Sequence, residues 1–395
     1  LVSLNEVGGD PRRFGTSVGA FHRANQERAR RWPQAMLCTS THDSKRSEDV
    51  RARINALSEL PEEWQGQVAR WQVLNRSKKR LVDDTPAPAK NDEYLLYQTL
   101  IGTWPLGELD EVGYKAYGER IERYMLKAIR EAKAQSSWIN PNPAYEEALL
   151  IFTRNLLEGP ETNVFLANFR PFQARIAKVG MYNSLAQILL KFMAPGVPDV
   201  YQGNELWDFS LVDPDNRRPV DYDHRQTLLR GLQEIDALPP EERVEHVRSL
   251  LDSPQDGRIK LYVTWKSLAL RQAHPDLFRE GEYQALSVTG EKADHVCAFA
   301  RYYQGLEVIV VAPRLWARLL DKNGKELLVS SVWSDTSVAL PVSEPRPFHN
   351  VFTGEIIHPK VDEERTLSLP LGSMLAHFPL ALLTTIPEMS MLRQG

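Results

Sequence analysis

The chain has 395 residues, 42% of them apolar and 25% charged, with a formal net charge of −4. That balance is ordinary for a globular protein with a sizeable core, and it carries no basic field for a phosphate backbone, so nucleic acid is not an expected partner. No apolar run approaches the roughly 18 residues of a membrane span, and no charged segment leads into a signal-like apolar core, so membrane insertion and export are not expected either.

The length exceeds what one hydrophobic core usually organises and predicts two domains, or one large α/β barrel with an appendage. The two cysteines, Cys38 and Cys297, lie far apart in apolar stretches, which argues against a disulfide framework and for a reducing, cytoplasmic setting. The chain opens at Leu1 in a polar loop, LVSLNEVGGDPRRFG, without a Met, which suggests a piece of a longer polypeptide.

In chain order, residues 16–32 have helical spacing with Thr16 or Ser17 as cap and Pro33 as stop. Residues 35–40, AMLCTS, fit a buried parallel strand. Ser47 then caps a helix whose first turn holds Glu48 and Asp49, with Val50, Ile54 and Leu57 on one face. Residues 61–192 read almost entirely as helices, with joints at DDTPAPAKND and SSWINPNPAY. A second strand-like run, GVPDVYQGNELW at 196–207, leads into the loop DFSLVDPDNRRPVDYDHR and three further helices up to Phe278. From Tyr283 the period becomes two, through YQALSV, HVCAFARYYQG, LEVIVVAPR, ELLVSSVW, TSVALP, TLSLP and LALLTTI, and predicts a small antiparallel β domain.

Chemistry concentrates at the ends of the two predicted parallel strands. His42 and Asp43 follow the first, where barrel enzymes collect their catalytic groups. On spacing alone the pair reads equally as a turn-capping carboxylate beside an imidazole bonded to a neighbouring strand. The second strand end offers Asp199, Tyr201, Glu205 and Trp207, and its loop offers Asp213, Asp215, Arg217 and Arg218. Paired arginines after two aspartates can fork onto carboxylates or vicinal hydroxyls, or simply close a salt-bridged loop. The histidines are scattered, no Cys-x-x-Cys occurs, and no P-loop or dinucleotide fingerprint is present, so neither a metal nor a cofactor is expected.

The motifs themselves are more specific than their spacing. STHDSKRSEDVRARI, residues 40–54, resembles the last catalytic motif of the α-amylase superfamily of glycoside hydrolases, in the form it takes in the maltooligosyltrehalose synthase family. PGVPDVYQGNELWDFSLVDPDNRRPVDY, residues 195–222, resembles that family's final barrel strand and loop, and LNEVGGDP, residues 4–11, is also similar.

The resemblance implies the C-terminal part of a (β/α)8 barrel, its last two strands, with a large helical insertion, followed by an antiparallel β-sandwich domain. Residues 1–60 would be the barrel segment with strand seven, 61–192 the inserted helical subdomain, 193–280 the segment with strand eight and its closing helices, and 281–395 the β domain. The family turns the reducing-end α-1,4 bond of a maltooligosaccharide into an α,α-1,1 bond. Retaining chemistry of this kind needs a nucleophilic and a proton-donating carboxyl about 5 Å apart. In the superfamily a third carboxylate holds the sugar at the cleaved bond.

By the same resemblance Asp43 matches that third carboxylate and His42 the imidazole on the same sugar. Lys45, two residues on, is either a ligand for neighbouring glucose hydroxyls or an ordinary helix-start cation, and Tyr201, Glu205, Asp215 and Arg218 match strand-eight and loop positions expected to bind substrate. The nucleophile and the acid belong to a G-x-R-x-D-H motif and to an apolar strand ending in Glu. The first motif does not occur here and the barrel before strand seven is missing. The expected partners are therefore a maltooligosaccharide and the N-terminal barrel half, and the 395 residues alone are expected to be inactive. A plain α-glucan hydrolase and a non-catalytic glucan-binding fragment are the competing expectations.

Overall fold

A computed structural model describes residues 1–159, 161–320, 330–341, 345–361 and 366–386. The helices and strands run α1 (Val18–Arg31), β1 (Met36–Leu37), α2 (Glu48–Ala56), α3 (Pro61–Leu74), β2 (Arg80–Val82), β3 (Thr85–Ala87), α4 (Lys90–Thr103), α5 (Glu111–Ala132), α6 (Pro143–Leu157), α7 (Val164–Met193) and β4 (Val197–Pro198). They continue as α8 (Tyr222–Asp236), α9 (Pro240–Ser249), α10 (Arg258–Ala273), α11 (Pro275–Arg279), β5 (Glu282–Ala285), β6 (Val288–Thr289), β7 (Val296–Tyr303) and β8 (Leu306–Pro313). The last are β9 (Ser337–Ala339), β10 (Phe348–Asn350), β11 (Ile356–Ile357), β12 (Lys360–Val361), β13 (Leu367–Pro370), α12 (Leu371–Met374) and β14 (Ala381–Thr384). The whole is helices plus several antiparallel sheets, divided into two contact units.

The first unit comprises Leu1–Pro11, His42–Met181 and Phe209–Arg218. Its helices close on aromatic residues. Trp71 is fully buried, with the rings of Tyr97 and Phe169 each 5.4 Å away and its indole N–H donated to Asn168 Oδ1 at 2.8 Å. Two glycines let α2 approach its neighbours. A Cβ on Gly102 would lie 2.7 Å from Val50, and one on Gly180 would lie 2.5 Å from Arg53 Cγ and 2.9 Å from its Cα. The space goes to Arg53, whose buried guanidinium donates to the carbonyls of Gly102 and Trp104 at 3.2 and 2.6 Å and lies 3.6 Å from the centre of the Phe209 ring.

The second unit comprises Arg12–Thr41, Tyr182–Asp208 and Pro219–Gly395. Here β1 and β4 pair in parallel, Met36 with Val197 and Leu37 with Pro198. The β domain holds two antiparallel sheets, one of order β11-β10-β14-β8-β7-β5 and one of order β12-β13-β9-β6. The hairpin β7–β8 pairs eight residues on each strand, and Gln304 and Gly305 at its tip both have positive φ, as a type I′ turn requires. Arg301, 1% exposed, caps the end of α11 by donating to the carbonyls of Leu277, Phe278 and Gly281.

Several expectations change. The run 35–40 is a strand only at Met36–Leu37, and Met36 is 71% exposed. A parallel strand is buried when neighbours flank it on both sides, and among the described residues β1 has β4 alone. The run 196–207 is a strand only at Val197–Pro198, the rest being turns. Cys38 is exposed, while Cys297 is buried as expected, and both are free thiols. The joint after α3 carries a hairpin, β2–β3, that no alternation announces. A short fourth helix, α11, follows the three predicted between 222 and 278. Of ELLVSSVW, residues 326–329 lie outside the described residues and Ser330–Trp333 form a 3-10 turn. The pentapeptide Gly15–Gly19, GTSVG, has the spacing of a hydrolase nucleophile turn, but Ser17 is the N-cap of α1 and accepts from the Ala20 amide at 3.1 Å. No described helix is long and apolar enough to cross a membrane.

The two kinds of helical glycine predict opposite outcomes. Gly180→Ala forces a methyl into the backbone of Arg53, which no rotamer change relieves, and should cost about 2 kcal/mol. Gly66, inside α3 with nothing within 4 Å of where a Cβ would stand, should gain about 0.7 kcal/mol on substitution by Ala. Urea midpoints of the two variants check the pair, and equal midpoints would refute the close packing of α2 on α7.

Candidate active site

The loop after Thr41 is set by the backbone amides of its own following residues. Glu6 accepts from the Lys45 amide at 2.7 Å and the Val7 amide at 2.9 Å through Oε1, and from the Arg46 amide at 3.3 Å through Oε2. Ser47 then caps α2, receiving the Val50 amide at 3.5 Å, and Glu48 and Asp49 sit in the first turn where the helix dipole favours them. Arg46, buried, donates to the Val2 carbonyl at 3.1 Å and the Tyr124 hydroxyl at 2.8 Å.

The same segment is stitched to the loop 209–218. Arg46 forms an antiparallel bridge with Leu211, and the Ser47 amide donates to the Ser210 carbonyl at 3.0 Å. Asn216 Nδ2 donates to the His42 carbonyl at 2.9 Å. The backbone of His42 to Ser47 is thus fixed while its first two side chains stay open. His42 and Asp43 are 60% and 65% exposed, with Nε2 and Oδ2 3.4 Å apart. Lys45, 41% exposed, has its ammonium 3.6 Å from Glu131 Oε2.

Behind the rim lies Asp215. Arg120 Nε donates to both its oxygens at 3.0 Å, and Arg120 Nη2 reaches Oδ2 at 2.9 Å and also the Phe209 carbonyl. The Leu211 amide adds a bond of 2.8 Å to Oδ2. Burial pushes this carboxyl upward, and the Arg120 guanidinium, the Leu211 amide and Arg218 outweigh it, so its pKa is held below the usual carboxylate range. Arg218 is 59% exposed, donating from Nε to the Asp215 carbonyl at 3.0 Å and from Nη2 to Ser210 Oγ at 3.3 Å. Arg217 pairs with Asp213.

Tyr201 and Glu205 belong to the second unit. The turn closes by the Asn204 amide donating to the Tyr201 carbonyl at 2.9 Å, with Gly203 at φ +90°. Arg225 clamps it, giving Nε to Glu205 Oε2 at 3.0 Å and Nη2 to the Gly203 carbonyl at 2.9 Å. Trp207 gives its indole N–H to the Pro254 carbonyl at 2.6 Å.

Within the first unit, then, His42, Asp43, Lys45, Asp215 and Arg218 come together around one pair of loops. Three residues that sequence reasoning did not single out hold these positions: Glu6, Arg120 and Arg225. Glu6 stands in LNEVGGDP and was visible as part of that motif. Arg120 and Arg225 read as ordinary surface arginines of helices, because the carboxylate of Asp215 is 95 positions from Arg120 and that of Glu205 is 20 from Arg225. Chemically, an exposed imidazole, carboxylate, ammonium and guanidinium on fixed backbone offer hydrogen bonds to a polyhydroxylated ligand and one negative charge for a developing cation. Among the described residues no group of three or more His, Cys, Asp or Glu is arranged to hold a metal ion.

No protein-family model matches the chain. It is 39% identical over 341 residues, 86% of its length, to a putative maltooligosyl trehalose synthase of Mycobacterium tuberculosis, of which this covers 38%. Among solved structures it is similar to the maltooligosyltrehalose synthase from Arthrobacter ramosus, at 35% identity and TM-score 0.75, covering 97% of this chain and 43% of that one. A hypothetical maltooligosyl trehalose synthase of Sulfolobus tokodaii gives 30% identity and TM-score 0.69, covering 98% and 43%. The chain therefore spans about two fifths of the length of the relatives it matches.

The Arg120–Asp215 pair carries a pH signature. With the pair intact, the depressed carboxyl contributes stability above the unfolded value of about 3.9, lost as pH falls through the lower folded value. In Arg120→Ala burial is opposed only by the Leu211 amide and Arg218, so the folded pKa rises relative to wild type and the charged form loses its main partner at neutral pH. The variant should lose about 3 kcal/mol at pH 7, and its deficit relative to wild type should shrink as pH falls from about 7 to about 4. Urea unfolding at both ends of that range measures it, and a deficit that widens on acidification counts against the pairing.

Proposed function

We propose a function from one premise: over most of its length the chain is a homologue of the maltooligosyl trehalose synthases. On this reading it supplies part of an enzyme that isomerises the reducing-end α-1,4 glucosidic bond of a maltooligosaccharide to α,α-1,1, by retaining transglucosylation within one substrate molecule. The domain scheme follows the same reading, with a barrel segment at 1–60, a helical insertion at 61–192, a second barrel segment at 193–280 and a β-sandwich domain at 281–395. The observation that carries the proposal is the open His42–Asp43 pair on a backbone fixed by Glu6 and Asn216. These are the residues of the STHDSKRSED motif on which the resemblance rests.

Asp43 is the carboxylate that holds the sugar at the cleaved bond and stabilises the positive charge that grows on its anomeric carbon. His42 donates a hydrogen bond to the same sugar, and Lys45 and Arg218 donate to hydroxyls of neighbouring units. Tyr201 is a further sugar contact. Glu205 and Asp215 take part in substrate binding as positioning residues, since Arg225 and Arg120 occupy their carboxylates. The nucleophile and the acid are supplied by the remaining part of a longer polypeptide, which also covers the open edge of β1 and places the site in the cytoplasm with the rest of the enzyme. Isomerisation over hydrolysis requires a closed pocket that keeps water out while the released glucose turns and reattacks through its anomeric oxygen.

Maltopentaose incubated with the 395-residue chain should keep all its reducing ends, and with the longer polypeptide it should lose them. Turnover by the chain alone would overturn the assignment of nucleophile and acid elsewhere, and a rise in reducing ends would make the protein an α-glucan hydrolase. Saccharide binding without turnover in the longer polypeptide would reduce it to a binding module. In the active form, Asp43→Asn should lower kcat about 100-fold to 1,000-fold, a barrier increase of about 3 kcal/mol, with little change in KM. Near-normal kcat in that variant removes Asp43 from the chemistry.

A further inference from the structure

One face of α5 runs along both loops of the candidate site. Arg120, Tyr124, Lys127 and Glu131 recur at the spacing of a single helix stripe, and each meets a different part of those loops. Arg120 holds Asp215 and the Phe209 carbonyl, the Tyr124 hydroxyl accepts from Arg46 at 2.8 Å, Lys127 gives Nζ to the Asp213 carbonyl at 2.5 Å, and Glu131 faces the Lys45 ammonium. All of these residues belong to the first unit. Side-chain exposure rises along the stripe, from 15% at Arg120 through 27% at Lys127 to 40% at Glu131.

The inner contacts are direct hydrogen bonds, and the outermost is not. Glu131 Oε2 stands 3.6 Å from Lys45 Nζ and Oε1 stands 3.8 Å from Lys127 Nζ, both beyond hydrogen-bond length. Among the described residues the Glu131 carboxylate therefore accepts no hydrogen bond, and the Lys45 ammonium has no hydrogen-bond acceptor. A pair built as a strut would close to about 2.7–2.9 Å. This one stands open at the rim, with donors on one side and lone pairs on the other.

A sugar hydroxyl fits such a gap, because it accepts and donates at once. Lys45 has no lone pair, so alone it can hold a hydroxyl oxygen but leaves the hydroxyl proton unanswered. The Glu131 carboxylate offers only lone pairs and takes that proton. An anionic ligand would be repelled by Glu131 and a cationic one by Lys45 and Lys127, which leaves a neutral polyol.

We propose that Glu131 is a substrate-binding residue, forming with Lys45 a clamp on the vicinal hydroxyls of one glucose unit. The inference rests on the proposed function, in which Lys45 donates to a sugar near the one held by Asp43. In an α-1,4 chain the O1 and O4 atoms of an internal unit are used in the linkages, so the 2- and 3-hydroxyls are its vicinal pair. Lys45 follows Asp43 by two residues, at most about 7 Å of chain, which sets the clamped unit beside the one at the cleaved bond.

The test uses the longer polypeptide and the rate of maltopentaose isomerisation. Glu131→Ala should raise KM about ten-fold, the value of one charge-assisted hydrogen bond. Its kcat should change little, because the bond is made in substrate and transition state alike. Glu131→Gln, which keeps an acceptor and loses the charge, should lie between Glu131→Ala and wild type. Both variants should keep the wild-type urea midpoint, as expected for an exposed side chain. A Lys45→Met background separates contact from support: a carboxylate that touches the sugar still raises KM several-fold when removed there, and one that only steadies Lys45 has no further effect. A wild-type KM in Glu131→Ala, no further rise in the Lys45→Met background, or a KM effect that comes only with a lowered urea midpoint overturns the assignment and leaves the proposed function standing. Absence of isomerisation by the wild-type polypeptide removes both.

Discussion

Asp215 stands in the loop 209–218 with its carboxylate largely turned from solvent, and Arg120 meets both oxygens from the middle of α5. A carboxylate in that position is tolerated only when its charge and its lone pairs are answered. Arg120 supplies three donor contacts to it and a fourth to the Phe209 carbonyl, and the Leu211 amide supplies another. Fixing Leu211 fixes Arg46, its bridge partner, and Arg46 stands between Lys45 and Ser47. The Arg120–Asp215 pair thus holds Leu211 and, through its bridge, Arg46, beside the Glu6 and Asn216 bonds that fix the His42–Asp43 loop.

The turn 201–205 in the other unit uses the same device. Arg225 bridges the Gly203 carbonyl and the Glu205 carboxylate, as Arg120 bridges the Phe209 carbonyl and the Asp215 carboxylate. A guanidinium suits this because its planar fork holds two acceptors at set angles and keeps its charge when desolvated. A lysine would satisfy the charge and leave the backbone carbonyl free to rotate. In both places one arginine on a helix converts an irregular loop into a fixed one.

Local structure was the most legible part of the sequence. Ser47 as a cap with Glu48 and Asp49 behind it, the long helical tract after residue 61 and the paired apolar runs at 296–303 and 306–313 all depend on neighbours a few positions away. Strand extent was less legible. AMLCTS has the composition of a buried strand, yet hydrogen bonding extends only as far as a partner strand does, and Val197–Pro198 pairs with two of its residues. The hairpin Arg80–Ala87 was hidden because Pro86 and Pro88 read as breakers, though the ladder needs no amide from a proline facing outward. Among the candidate residues, His42, Asp43, Lys45 and Arg218 could be picked out by chemistry and motif. That Asp215 and Glu205 spend their carboxylates on Arg120 and Arg225 could not, since helix periodicity marks those arginines only as polar positions.

The exposure of Asp43 defines what the loop can do by itself. Two unit charges 4 Å apart interact by about 1 kcal/mol in bulk water and by about 4 kcal/mol at the effective dielectric of a partly enclosed site. A carboxylate that is 65% exposed sits near the first limit. On the proposed function, the several kcal/mol required of it at an oxocarbenium-like centre come only when substrate and the rest of a barrel displace the water around it. The chain contributes position, held by Glu6, Asn216 and the Arg120–Asp215 pair. On that same proposal enclosure comes from outside these loops, and the open edge at Met36 lies on the strand from which the motif departs. Preorganised geometry and low dielectric are thus separable, and the bonds that hold this loop supply the first.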